Sequence, residues 1–210
     1  MAYSQMLTGI VNLKPAPPTI IGQAYEGGYY AGPISRNGTH IVTDYLIAAP
    51  KATGQSVLAW GPVTSAGAWS LVDGYTNTDI LASLGYPAAS FCKNLTIGGY
   101  TDWYLPAFYE LQILYYYAHP GIANNATGYG YTYYNVPPQP YYTPYTASVP
   151  NAGPPPFYSG GSQAFNTVNY WSSSEDTAAL AKVITFYNGV EGSYSKTNPT
   201  YTRAIRQVPA

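Results

Sequence analysis

Charge is what this 210-residue chain has least of. Eight Lys or Arg and nine Asp or Glu make up 8% of it and leave a net charge of −1, about a third of the usual charged share. A chain so near neutrality has no phosphate-seeking field, so nucleic acid is not an expected partner. It also has little colloidal repulsion, which suits a protein that lives in an assembly. Cysteine is almost missing: the single Cys92 excludes an intramolecular disulfide and a cysteine-rich zinc cage. Only two histidines occur, His40 and His119, and neither falls in a HExxH spacing. No apolar run approaches membrane-spanning length, so no membrane insertion is expected. The opening stretch "MAYSQMLTGIVNLKPAPP" has neither a basic leader nor a long apolar run, so no secretory signal and synthesis in a cytoplasm are expected.

What the chain has instead is aromatic residues: 25 Tyr, 5 Phe and 4 Trp. Disordered chains are poor in aromatics, so low charge here does not mean disorder. The length fits one domain with an arm, and aromatic packing must supply much of its core. Residues 1–20 hold a short apolar run and then Pro15, Pro17 and Pro18, which favour extended backbone. These read as an N-terminal arm, and 21–210 as the domain. From Ile20 to Trp60 the pattern is β-like, with a hairpin turn at Asn37-Gly38. Residues 61–78 are rich in turn formers. Apolar residues at Leu84, Ala88, Phe91, Cys92 and Leu95 recur at helical spacing, and Pro87 suits a first turn, so a helix is placed over 87–95. Pro106 opens a second helix that buries Leu111, Leu114 and Tyr115 and stops at Pro120-Gly121. The end returns to strands, with a turn at Asn188-Gly189. The expected fold class is α+β: two short helices, short and mostly antiparallel strands, and long loops.

Between the second helix and the last strands lies a Tyr/Pro-rich insertion, 129–158, without a single charged residue. Its prolines exclude regular helix and central strand. Tyrosine supplies large amphipathic contact area with few rotors to freeze, as it does in paratopes. Tyr129, Tyr131, Tyr133, Tyr134, Tyr141, Tyr142, Tyr145 and Tyr158 are therefore the expected ligand- or partner-binding residues.

Catalytic patterns are absent. Among the carboxylates only Glu175-Asp176 are adjacent, and no EF-hand spacing, GxSxG elbow or phosphate-binding loop occurs. "GGYYAG" has the glycines of such a loop but no helix after it. No enzyme, cofactor or dedicated metal site is expected, with a loop-built calcium site left as the alternative. Trp103 in "TDWYLP" and Trp171 in "NYWSSSE" sit among polar residues able to satisfy an indole N–H, as framework aromatics do. Arg203 and Arg206 are read as one strand with opposite faces, at least one of them paired with Glu110 or Glu175.

The ordered series "PAASFCKNL", "GGYTDWYLP", "ELQILY", "YWSSSE", "ITFYNG", a Lys and "RAIRQ" resembles the C-terminal domain of the Legionella collagen-like adhesin, over about residues 70–207. Upstream, "IGQAYEGGYYAGPI" and "YLIAAPKATGQ" resemble the extended form found in tailed-bacteriophage virion proteins. The matching framework positions are Asp102, Trp103, Leu105, Pro106, Glu110, Leu111, Trp171, Ser172, Ser173, Glu175, Phe186, Gly189, Lys196, Arg203 and Arg206. Many members have Arg where this chain has Tyr104, and the usual Trp before the "F…NG" strand is missing. The resemblance implies a C-type-lectin-like fold, a Trp-pinned scaffold with variable binding loops. It also implies a virion location and a non-enzymatic role in binding host-surface glycan or protein. The alternative is a capsid-decoration or tail-assembly protein whose aromatic loop and arm pack on neighbours. Other virion proteins and copies of the same chain are the expected partners.

Overall fold

The computed structural model describes residues 16–121, 134, 136 and 155–210. Most of the 129–158 insertion and of the 1–20 arm lies outside these. The described elements are β1 (Ala24–Tyr25), β2 (Gly28–Ile34), β3 (Asp44–Ala48), α1 (Lys51–Gly54), β4 (Gln55–Leu58), α2 (Gly74–Ser83), α3 (Pro87–Lys93) and α4 (Phe108–Ala118), then β5 (Asn169–Glu175), β6 (Leu180–Thr185), β7 (Glu191–Ser195), β8 (Thr200–Arg203) and β9 (Ile205–Pro209). The class is α+β. Two sheets form, one in the order β1-β2-β3-β9 and one in the order β4-β8-β5-β6-β7. All described pairings are antiparallel except β5 with β8.

The four-stranded sheet is the wall between two cores. Along β3, Ile47 faces a cluster built on Trp60, Trp103, Trp171, Tyr86 and Leu81, whereas Leu46 and Ala48 face a second cluster built on α4, Tyr170, Phe165 and Phe186. That alternation follows from the two-residue period of a strand buried on both faces. In the second cluster, Phe165 and Phe186 stack at 4.3 Å and Tyr170 tilts against Phe186 at 4.8 Å. Aromatic rings do the filling that aliphatic side chains do elsewhere.

Two crossings join the sheets side by side. The chain leaves β3 through Ala49 and α1 to reach β4, and returns from β8 to β9 through Ala204. Ala49 N–H donates to Ala204 O, and Ala204 N–H donates to Gly54 O, both at 2.9 Å. A Cβ on Gly54 would collide with the Cβ of Ala49, so only glycine lets the β3–β4 crossing fold back on itself this tightly.

Four sequence expectations are corrected here. The described residues hold four helical segments, not two. The ten-residue α2 was hidden in a Gly/Thr/Asn-rich stretch and starts on Asp73, whose side chain accepts from Thr76 N–H. The strands flanking Asn37-Gly38 do pair, but through a loop over 35–43, not a tight hairpin turn. Arg203 and Arg206 are not on one strand: Ala204 carries the chain from one sheet to the other between them. Neither arginine takes Glu110 or Glu175, for reasons that emerge from the site geometry.

Candidate functional site

Several of the few charges are spent inside the molecule. Glu110, fully buried on the first turn of α4, accepts from Arg36 Nη2 and Tyr104 O–H, each at 2.7 Å, and from Ala107 N–H and Gly74 N–H. Arg36 also donates to Asp44 and to Val72 O. Burial raises the Glu110 carboxyl above its usual range, against the opposing pull of Arg36 and the Tyr104 and Ala107 donors. Arg206 forks onto Asp102 with two bonds of 2.8 Å and donates to Glu26 Oε2 at 2.7 Å, with Tyr100 stacked 3.9 Å from its guanidinium. It thereby fixes the β1–β2 turn, where Glu26 holds a left-handed φ of 41°.

The third cluster builds a surface. Glu175 and Lys196 are both fully buried, with Lys196 Nζ 2.5 Å from Glu175 Oε1. Glu175 also accepts from Ala66 N–H at 3.0 Å, Gly67 N–H at 2.9 Å and Ser65 Oγ–H. Lys196 Nζ donates to Thr64 O and Ala178 O and lies 4.8 Å over the Trp60 ring. Around this pair, β5 departs from its ladder between Trp171 and Glu175, and Ser173 and Ser174 turn to the neighbouring loop and helices. Ser174 Oγ donates to Ser70 O and accepts from Phe108 N–H, Ser173 N–H donates to Pro106 O, and Trp60 Nε1–H donates to Ser172 O. Small hydroxyl side chains are what a strand needs where it must bond sideways while buried.

The result is a loop, 61–73, clamped at residue after residue. Gly61 N–H donates to Lys196 O, Thr64 binds both Lys196 and Tyr86, 65–67 cradle the carboxylate, Ala68 O accepts from Glu175 N–H, and Ser70 holds Asn77. Between these anchors two apolar side chains are left outside: Val63 at 55% exposure and Trp69 at 51%. The other three tryptophans have no exposed surface. A half-bare indole on a loop so firmly held is a pre-organised contact residue, because its display costs no further ordering on binding. Trp69 was missed in the sequence, where "AGAWSLV" looks no different from the buried "VLAWGP"; the only available signal is a Trp inside a run of small turn formers.

The other framework residues are placed as follows. Trp103 and Trp171 are buried and donate to Tyr100 O and Leu58 O. Pro106 and Ser172 flank the clamp, Ser172 Oγ donating to Lys182 O. Arg203 is fully buried among neutral acceptors. Glu110 and Glu175 were unavailable to Arg203 and Arg206 because Arg36 and Lys196 occupy them first. Of the tyrosines in the insertion, Tyr134 tilts against Tyr109 at 5.2 Å and accepts from Ser35 N–H through its carbonyl. Tyr158 is half-buried and its carbonyl accepts from Gly161 N–H. Tyr129, Tyr131, Tyr133, Tyr141, Tyr142 and Tyr145 lie outside the described residues. Cys92 is buried, and burial pushes its thiol up, away from nucleophilic use. Burial holds the His119 imidazole down to about 4. Among the described residues no three His, Cys, Asp or Glu group into a metal-binding set, and no helix is long and apolar enough to cross a membrane.

The clamp has a pH signature. Burial pushes Glu175 up, but Lys196 and the Ala66 and Gly67 N–H groups outweigh it, so the carboxyl titrates below the ordinary glutamate range. A depressed carboxyl contributes stability above its unfolded pKa and loses it as pH falls through the folded value. Glu110, raised, works in the opposite sense, so the test is a difference. The gap in unfolding free energy between the parent and Glu175→Gln, measured by urea denaturation, is expected to be widest at neutral pH and to shrink below about pH 4.

The sequence model of the Lcl C-terminal domain family matches residues 54–206, a span that holds the clamp, the 61–73 loop and both arginines. No curated protein matches the sequence. The crystal structure of a fimbrial protein from Bacteroides ovatus ATCC 8483 is similar at 13% identity and a TM-score of 0.48, over 91% of this chain and 44% of that one. The chain therefore spans less than half the length of that structure.

Proposed function

The chain belongs to the Lcl C-terminal domain family, and on that footing we propose that it is a non-enzymatic adhesion module that binds a cell-surface glycan or protein. One observation carries the reading: Trp69, half exposed on a loop whose residues 64–67 bond a buried ion pair and whose Ser70 is held by Asn77 and Ser174. Tryptophan is the side chain most enriched at the centres of binding surfaces. Its ring also stacks on the apolar face of a sugar. Five of the seven described Lys and Arg are tied to carboxylates, so contact at this face rests on desolvation and hydrogen bonds, and depends weakly on salt.

The finer reading is a C-type-lectin-like domain over 21–210 behind an arm at 1–20, carried on the virion of a tailed bacteriophage beside other virion proteins. Its support is the upstream likeness to phage virion sequences, together with tryptophan-pinned loops set against two mostly antiparallel sheets. A structural role in capsid or tail assembly is favoured by one observation. β4 and β7 are the outer strands of their sheet, with Val57 and Tyr194 exposed on them, and open edges accept strands from neighbours. Adsorption of the purified chain to a glycan array and to intact bacterial cells separates the two. Saturable binding that persists from 50 to 500 mM salt supports adhesion. A blank result with folded protein and ordered self-assembly supports the structural role.

A further inference from the structure

Among the described residues seven Lys and Arg side chains occur, and Arg36, Lys93, Lys182, Lys196 and Arg206 each sit on a carboxylate. The remaining two, Lys51 and Arg203, have no carboxylate partner, and they are neighbours. Gln163 Oε1 accepts from Lys51 N–H at 2.8 Å and from Arg203 Nη2 at 3.3 Å. The other acceptors around Arg203 are all neutral: Ala49 O, Gln55 Oε1 and Gln163 O. A fully buried guanidinium supported only by amides is unusual, since buried charges are ordinarily paired. Burial lowers its pKa to about 10, and burial together with Arg203 lowers that of Lys51. Both cations lack the anion that would oppose them.

Lys51 lines a cleft, and Arg203 lies buried behind it. An opening of about 250 Å³ is lined by Lys51, Ser159, Gly160, Ala164, Phe165 and Asn166, among others, and no Asp or Glu lines it. Lys51 Nζ donates to Ala164 O at 2.8 Å, leaving two of its three N–H donors for a ligand. Phe165 forms one wall, and the Arg203 guanidinium lies 5.0 Å from that ring. The cleft thus combines one accessible ammonium and a polar rim, with a second positive charge buried behind Phe165.

We propose that this cleft binds the carboxylate of a small organic acid, with Lys51 as the direct contact and Arg203 as the supporting charge beside the Phe165 wall. A single accessible ammonium suits a monoanion better than a phosphate dianion, which calls for several convergent donors. The volume limits the ligand to a small acid or to one end of a larger molecule. The site is separate from Trp69 and does not depend on the adhesion reading.

The test is a titration of the intact chain followed by amide NMR, with sodium acetate as probe and acetamide as its uncharged counterpart at constant ionic strength. Acetate is expected to shift the Lys51, Gly160 and Asn166 amides saturably while acetamide leaves them in place. Lys51→Met should weaken the acetate response about tenfold, and Lys51→Arg should retain it, both with unchanged melting temperature because Lys51 is partly exposed. Glucuronate binding more tightly than N-acetylalanine would assign a sugar acid, and the reverse a peptide terminus. No saturable shift, an equal response to acetamide, or an unaltered response in Lys51→Met would overturn the proposal.

Discussion

Lys196→Met should destabilise the chain by about 3–5 kcal/mol, the usual cost of leaving one member of a buried ion pair alone. The ammonium is removed, but the Glu175 carboxylate keeps its fully buried place among Ala66 N–H, Gly67 N–H and Ser65 Oγ–H. Those donors satisfy its lone pairs without supplying a counter-charge. Against a typical net stability of about 5–15 kcal/mol, such a loss is a large fraction of the whole. Thr64 O and Ala178 O lose their donor as well, so the loop and the turn before β6 loosen together. Urea denaturation gives the magnitude, and hydrogen exchange gives the place: protection should fall first at 64–68. The double variant Glu175→Gln with Lys196→Met should be more stable than Lys196→Met alone, because it leaves no bare charge behind. The same Glu175→Gln loss in the Lys196→Met background as in the parent would mean that the pair is not coupled.

Trp69→Ala should have the second large effect, on binding and not on folding. A central tryptophan truncated in an interface typically costs about 2 kcal/mol or more, so adsorption should weaken ~30-fold or beyond. Half of the indole already faces solvent, and no bond of the clamp uses its side chain, so the melting temperature should stay within a few degrees of the parent. Trp69→Phe should recover part of the affinity, since a ring remains to be desolvated. Val63→Ala, on the same loop, should cost less, in proportion to the smaller area it exposes.

The two variants divide the loop into its parts. Lys196 acts from beneath, by holding backbone. Trp69 acts from above, by touching the partner. Three of the ion-pair clusters act as staples, each fastening a loop to the sheets, at Arg36–Glu110, Glu26–Arg206–Asp102 and Glu175–Lys196, with the last fully buried.

Part of this was legible in the sequence. Pro87 at the start of α3 and the run into α4 could be placed because proline and helical spacing act locally. Trp103 and Trp171 are buried, but their indole N–H groups go to the backbone carbonyls of Tyr100 and Leu58, not to the polar side chains beside them in the sequence. α2 was not legible because only Leu81 among its apolar residues is buried; its inner face is Gly74, Asn77 and Thr78, polar positions that hydrogen-bond inward. The ion pairs were assigned to the wrong partners because the chain brings them together from afar: Arg36 reaches a carboxylate 74 positions away, and Arg206 one 104 positions away. Trp69 was invisible for the same reason. Its exposure is decided by what Glu175 does to Ala66 and Gly67, and nothing in "AGAWSLV" announces a carboxylate from another strand.

Oxidative footprinting of the intact chain, free and adsorbed to the cells or glycan that retain it, tests the contact directly. Trp60, Trp103 and Trp171 have no exposed surface and should stay unmodified in both states. Trp69 should be oxidised readily in the free chain and protected in the bound one. Equal oxidation of Trp69 in both states, with binding intact, would contradict the account and move the contact surface elsewhere.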